Sequence, residues 1–201
     1  ACKYTIDINK QNNDNKTALV IALEHDINIA AIQYFCNTFK DRIDINKQYK
    51  DGNTTLMLAL IYRTNETTIQ YICQTFKDSI DINKQDNDGY TTLMIAVRCH
   101  TNEKVIQYLY KTFKDTIDIN KQNKNGDTVC ILSTGNQDRA MMEYFYTLID
   151  INAQNKNGNT ELMLAIKSKV FCNSLEYLFA TFKDTIDINI QNNDGCTVLM
   201  L

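Results

Sequence analysis

The chain has 201 residues, 44% of them apolar and 22% charged, a balance that suits one or two globular domains and excludes an intrinsically disordered chain. Lys and Arg number 21 against 24 Asp and Glu, a formal net charge of -3, and neither half of the chain carries the basic excess that neutralising phosphates requires, which argues against a nucleic-acid partner. The longest apolar run, Leu56 to Tyr62, falls far short of the roughly 20 residues that cross a bilayer, and Ala1 to Asn9 lacks the apolar block of a secretory signal, so no membrane insertion is expected.

In chain order, the first element is the tetrapeptide Ile6-Asp7-Ile8-Asn9, and it returns beginning at Ile43, Ile80, Ile117, Ile149 and Ile186. The spacing is 37 residues except for 32 between Ile117 and Ile149. A fixed period of that size marks a repeat architecture. Alternation of Ile with Asp and Asn predicts a short extended stretch running into a polar turn. Six residues after each Asn stands Asn15, Gly52, Gly89, Gly126, Gly158 or Gly195, the residue types that best tolerate a left-handed backbone. Next come Thr17, Thr54, Thr91, Thr128, Thr160 and Thr197, each placed to cap a short helix. Asn28, Asn65 and Asn102 are placed to cap a second amphipathic helix. The block Thr-Phe-Lys-Asp at Thr38, Thr75, Thr112 and Thr181 predicts that the second helix is prolonged by about a turn, with Phe39, Phe76, Phe113 and Phe182 packing between neighbours. Tyr34-Phe35, Tyr71-Ile72, Tyr108-Leu109, Tyr144-Phe145 and Tyr177-Leu178 recur at one helical position and predict a core seam. The fourth unit lacks the Phe-Lys-Asp block, shortens its inter-helix loop to Thr134 to Asp138, and has Ser133 where the others have a buried Ala.

These features resemble the ankyrin repeat, whose turn, Thr-Pro-Leu-His-x-Ala-Ala helix and closing tetrapeptide are matched by Asp86 to Val97 and Ile117 to Asn120. The departures are at the family's Pro, which is Ala18, Thr55, Thr92, Val129, Glu161 or Val198, and at its His, which is Val20, Met57, Met94, Ile131, Met163 or Met200. The resemblance implies an all-α fold, an ankyrin-type α-solenoid of stacked helix-turn-helix repeats with short β-turn or hairpin connections. The expected organisation is a single array over 1-201. A tail (1-9) precedes repeats at 10-46, 47-83, 84-120, 121-152 and 153-189, and a truncated repeat (190-201) follows, with further repeats of the same chain expected to flank it.

No catalytic constellation stands out: His25 and His100 fall in separate inter-helix loops, and there is no Ser-His-Asp set, no HExxH and no phosphate-binding glycine loop. Seven cysteines form no CxxC or metal-type pair and read as buried free thiols of a reducing, cytoplasmic compartment. The expectation is therefore a non-enzymatic module with no cofactor and no metal, binding a protein partner. By the resemblance, the surface is the concave face of turn tips and first helices. Its candidates are Tyr49, Lys50, Asp51, Asn53 and Leu58; Asp86, Asn87, Asp88, Tyr90 and Ile95; Asn123, Lys124, Asn125, Asp127 and Leu132; Asn155, Lys156, Asn157, Asn159 and Leu164. Tyr49 and Tyr90 would be aromatic anchors. An equally simple reading is that the apolar stripe Leu58, Ile95, Leu132 and Leu164 is half covered by neighbouring repeats. The alternative function is a structural or targeting segment of a larger protein whose activity lies elsewhere.

Overall fold

The computed structural model describes residues 6-25, 27-135, 139-155, 157-167 and 172-201. Within them the chain is helical, with no strand. The α-helices are α1 (Ala18–Glu24), α2 (Ile29–Phe39), α3 (Thr55–Ile61), α4 (Glu66–Thr75), α5 (Thr92–Arg98), α6 (Glu103–Phe113), α7 (Val129–Gly135), α8 (Arg139–Tyr146), α9 (Glu161–Lys167) and α10 (Cys172–Phe182). The chain divides into two compact units, Ala1–Ile117 and Asp118–Leu201.

Both kinds of cap form. Thr17, Thr54, Thr91, Thr128 and Thr160 each accept from the backbone N–H three residues on, at 3.3 to 3.5 Å. Asn28 and Asn102 cap the second helices by accepting from the N–H two residues on, and Asn65 from the N–H three residues on, at 2.8 to 2.9 Å. Thr197 heads a 3-10 turn and makes no capping bond. At α3 and α5 the residue in the family's His position adds a reciprocal bond. Met57 and Met94 place their sulfur 3.4 and 3.5 Å from the N–H of Thr54 and Thr91, satisfying a donor that a helix start leaves open.

The tetrapeptide is a turn, not the extended stretch its alternation predicts. The Asp carboxylate accepts from the N–H two residues on, as Asp44 does from Asn46 and Asp81 from Asn83, and this local bond outcompetes strand pairing. Where the repeat is 37 residues, the closing Asn then ties the turn to the next. Asn46 donates Nδ2 to Ser79 O at 2.6 Å and accepts from Asp81 N–H at 2.8 Å; Asn9 bonds Arg42 and Asp44 in the same way. Lys47 and Lys84 reach back to Asn9 O and Asn46 O at 2.7 and 3.0 Å. Turns that pair in this manner need no β-sheet.

In the first unit α1, α3 and α5 pack in one row and α2, α4 and α6 in another. Leu19, Val20 and Leu23 of α1, Leu56, Met57 and Leu60 of α3, and Leu93, Met94 and Val97 of α5 are buried between the rows. Phe76 and Phe113 are buried as expected, while Phe39 is half-buried. The second helices end at or beside the Phe, and the following Lys-Asp lies in a terminal turn whose N–H groups return to the Phe carbonyl, as Ile80 does to Phe76. The Tyr pairs do not form a core seam. Of the second members Ile72, Leu109, Phe145 and Leu178 are buried and Phe35 is half-buried; Tyr71 and Tyr108 are half-buried and send their hydroxyls to Gln33 O and Gln70 O of the preceding helix. Tyr34, which has no such partner, is 75% exposed.

In the second unit α7 packs on α8 and α9, and α9 on α10. Ser133 is fully buried and donates its hydroxyl to Cys130 O at 2.6 Å, so the residue that replaces Ala satisfies itself within its own helix. Tyr146 takes the place of the missing Phe, stacking on Tyr177 at 6.0 Å and meeting Phe182 edge-on at 6.1 Å. Leu199 and Met200 are largely exposed. Among the described residues no helix is long and apolar enough to cross a membrane.

Candidate partner-binding surface

Each turn tip closes on a left-handed residue. Gly52, Gly89, Gly126, Gly158 and Gly195 have φ between 75° and 87°, and Asn15 has φ 59°. Gly52 N–H returns to Tyr49 O at 2.8 Å, and Tyr49 N–H to Asn53 O at 3.0 Å. At Gly52 a second demand is added. A Cβ there would stand 2.5 Å from Asn87 N, because Asn87 docks on this tip through its own N–H to Asp51 O at 2.9 Å and its Nδ2 to Lys50 O at 3.3 Å.

The first residue of the tip organises the loop with a carboxylate or amide oxygen. Asp86 accepts from the N–H groups of Asp88 and Tyr90 at 2.9 and 2.8 Å, Asn123 from Asn125 and Asp127, and Asn155 from Asn157 and Asn159. Tyr49 stands in this position in the second repeat and cannot do so. Its hydroxyl instead lies 3.0 Å from Thr17 Oγ1 and 3.3 Å from Thr55 Oγ1, and burial pushes the phenol above its ordinary range. Half-buried between two first helices, Tyr49 holds the stack.

In the first unit Lys50, Asp51, Asn87 and Asp88 come together as an exposed edge, with half-buried Asp86 behind them and Asn53 buried beneath. Among the described residues the side chains of Lys50, Asp51 and Asp88 make no hydrogen bond or ion pair. Tyr90 is half-buried, and the guanidinium of Arg98, which the motif did not single out, lies 4.8 Å from its ring centroid. Leu58 is partly exposed, but Ile95 is only 2% exposed. In the second unit Lys124 and Asn125 are exposed, Asp127 and Leu132 half-buried, and Asn123 buried with its Nδ2 on Asp127 Oδ2 at 3.0 Å. Asn157 is exposed. Asn159 is buried and accepts from Lys167 Nζ and Asn192 Nδ2, and Leu164 is buried. Lys156 lies outside the described residues.

The second unit also holds a cavity of about 50 Å³ absent from the sequence expectation, lined among others by Asn120, Thr128, Asp150, Asn155, Glu161 and Leu164. Glu161 opens α9 in the position where the family carries Pro. It is 8% exposed, and its two carboxylate oxygens share one donor, the Thr128 hydroxyl, at 3.1 Å. Burial, reinforced by the negative charge of Asp127, pushes its carboxyl up to about 7. The sequence signal was a carboxylate inside an otherwise apolar helix start, Glu161-Leu162-Met163-Leu164.

The chemistry elsewhere is sparse. Among the described residues no group of His, Cys, Asp and Glu could hold a metal. Cys36, Cys73 and Cys130 are buried, and desolvation raises the thiols of Cys36 to about 11 and Cys73 to about 12, far from the thiolate that nucleophilic work requires. Cys2 lies outside the described residues.

Residues 28–123 match the family model for ankyrin repeats, in its three-copy form. No curated protein matches the sequence. Among solved structures, the ankyrin repeat domain of Bcl-3, a member of the IkappaB protein family, superposes with a TM-score of 0.55 at 19% identity, covering 93% of this chain and 94% of that one. One chain of the complex described as the Bd0816 predatory endopeptidase from Bdellovibrio bacteriovorus with immunity protein Bd3460 gives a TM-score of 0.58 at 20% identity, covering 94% of this chain and 90% of that one. At such identities the likeness is one of fold. Residues 28–123 thus carry the ankyrin-repeat pattern of the family model, and the repeated turn, capped helix pair and left-handed tip glycine give the chain the ankyrin-repeat fold that these structures share.

Proposed function

We propose that the protein is a non-enzymatic interaction module that binds another protein through the face shared, within each unit, by its turn tips and first helices. We read the chain as one array of successive repeats, 10-46, 47-83, 84-120, 121-152 and 153-189. Ankyrin repeats serve as protein-interaction modules, and the Bd0816 structure is itself a complex with an immunity protein. The observation that carries the reading to this chain is how the polar groups are divided. The bonds that hold the tips and join neighbouring turns use backbone groups and the Asp, Asn and Gln side chains aimed inward, such as Gln48 Nε2 on Gly52 O and Gln85 O, together with Lys47 and Lys84 below the tips. The side chains of Lys50, Asp51 and Asp88 are left exposed beside the Tyr90–Arg98 stack and the partly exposed Leu58. An aromatic and an arginine bordered by uncompensated charge of both signs is a make-up that protein interfaces favour. Tyr49, Asn53, Ile95, Asn159 and Leu164 contribute as support beneath this surface, and Lys124, Asn125 and Asn157 extend it in the second unit.

Affinity capture from native extract, identified by mass spectrometry, is the test. Wild-type protein is expected to retain a reproducible partner, and the variant Asp51→Lys, Asp88→Lys, Tyr90→Ala is expected to lose at least about tenfold in affinity, roughly 1.4 kcal/mol, without loss of helicity. Equal retention by the variant removes this surface from the reading.

A further inference from the structure

We propose that the cavity of the second unit, between the turn that precedes α7 and the turn that precedes α9, is a receptor for a lysine side chain of the protein partner. The inference rests on the interaction reading above and names a chemistry for one part of the surface.

Several observations converge on this cavity. None of the described residues that line it is basic, whereas Glu161 and Asp150 both line it. The groups that face Glu161 are Asp127 and Thr128 from the turn before α7, Cys130 on α7, Tyr146 at the end of α8 and Asp150 before α9; each is acidic or carries no charge. The base on α9 itself, Lys167, is committed to Asn159 Oδ1 at 3.0 Å. Glu161, itself 8% exposed, thus has among the described residues one hydroxyl donor for two oxygens that could accept four bonds, in a cavity whose rim includes exposed Asn120 and Asp150. A second, independent signal comes from Asn155, which lines the same cavity and whose buried Nδ2 donates to no group of the described residues. A buried donor without a partner costs about 1 to 3 kcal/mol, and such atoms mark places where an acceptor belongs.

The ligand must therefore bring a cationic donor for the carboxylates together with an acceptor for the amide. A lysine within an extended peptide carries both, its ammonium for Glu161 and Asp150 and its main-chain carbonyl for Asn155. The size of the cavity, about 50 Å³, fits a compact ammonium on a thin stem better than a planar guanidinium. Entry of the cation converts Glu161 to its carboxylate. Binding then releases the proton that burial keeps on this group near neutral pH, so affinity rises with pH.

The tripeptide acetyl-Gly-Lys-Gly-amide, titrated into ¹⁵N-labelled protein, tests this directly, with acetyl-Gly-norleucine-Gly-amide as the isosteric control. Expected are saturable shifts confined to Thr128, Asp150–Asn155 and Glu161, no response to norleucine, at least tenfold weaker binding to Glu161→Gln, and several-fold tighter binding at pH 8 than at pH 6. Glu161→Gln keeps an acceptor for Thr128, so its folding is expected to be intact and is checked by circular dichroism. Equal response to the two peptides, shifts elsewhere, or undiminished binding to Glu161→Gln overturns the proposal. The two readings separate in the capture experiment. A partner lost by the tip variant but held fully by Glu161→Gln leaves the interaction face standing and overturns the lysine receptor.

Discussion

Glu161 shows how a single position can hold back stability. The proline usual in this family at the first helical residue has a preset backbone angle and needs no hydrogen-bond donor; this chain instead places a carboxyl where burial raises it from 4.5 to about 7. Between those values the folded chain keeps a proton that the unfolded chain has released, so stability is highest below about pH 4.5 with respect to this group and falls as pH rises through 7. The full penalty is of the order of 3 kcal/mol. Glu161→Gln, which does not titrate, is expected to match the wild type near pH 5 and to melt several degrees higher at pH 8. Thermal scans across that range check it, and parallel curves for the two proteins would falsify the assignment. Legibility from sequence is uneven at this scale. The threonine and asparagine caps were readable because each acts within three residues, whereas the burial of Glu161 depends on Thr128, 33 residues away.

The element that repeats most faithfully is the turn, and its closing Asn shows what a five-residue shortening does. Where the repeat is 37 residues, the Asn reaches a carbonyl 33 residues on and an N–H 35 residues on, as Asn46 does with Ser79 and Asp81 and Asn152 with Thr185 and Asp187. Asn120 precedes the 32-residue repeat, is exposed and makes no such bond with its side chain. Asn46→Ala is therefore expected to destabilise the protein by about 1 to 3 kcal/mol, since it removes two hydrogen bonds that join it to the next turn. Asn120→Ala should lie within about 0.5 kcal/mol of wild type. Urea unfolding of the two variants distinguishes these cases, and similar midpoints would mean the ladder carries no stability. The alternation Ile-Asp-Ile-Asn misled as a strand signal for a related reason. Period-two patterning does not register that Asp and Asn can satisfy a turn locally, and only the neighbouring turn supplies the remaining partners.

At the scale of the molecule, stability in a stack comes from neighbours, so it should be graded along each unit. In the first unit α3 packs against both α1 and α5, and Thr54–Met57 and Thr91–Val97 are buried without a break. Amide hydrogen exchange should accordingly be slowest in α3 and α5 and faster in α1 and α2; uniform exchange over the unit would contradict the graded picture. The sequence by itself determined the fold class, the helix pairs, the left-handed tips and the period, because capping, turn chemistry and helical spacing all act within a few residues. It also named the tip residues that stand exposed, Lys50, Asp51 and Asp88 among them. What only tertiary structure decided is which side of each candidate is covered. Tyr49 is drawn between Thr17 and Thr55, Ile95 and Leu164 are buried, Arg98 stacks on Tyr90, and Asn155 and Glu161 meet at one cavity. Each of these rests on a partner supplied by another turn or helix, brought close by the stacking of repeats, and periodicity within one repeat carries no information about it.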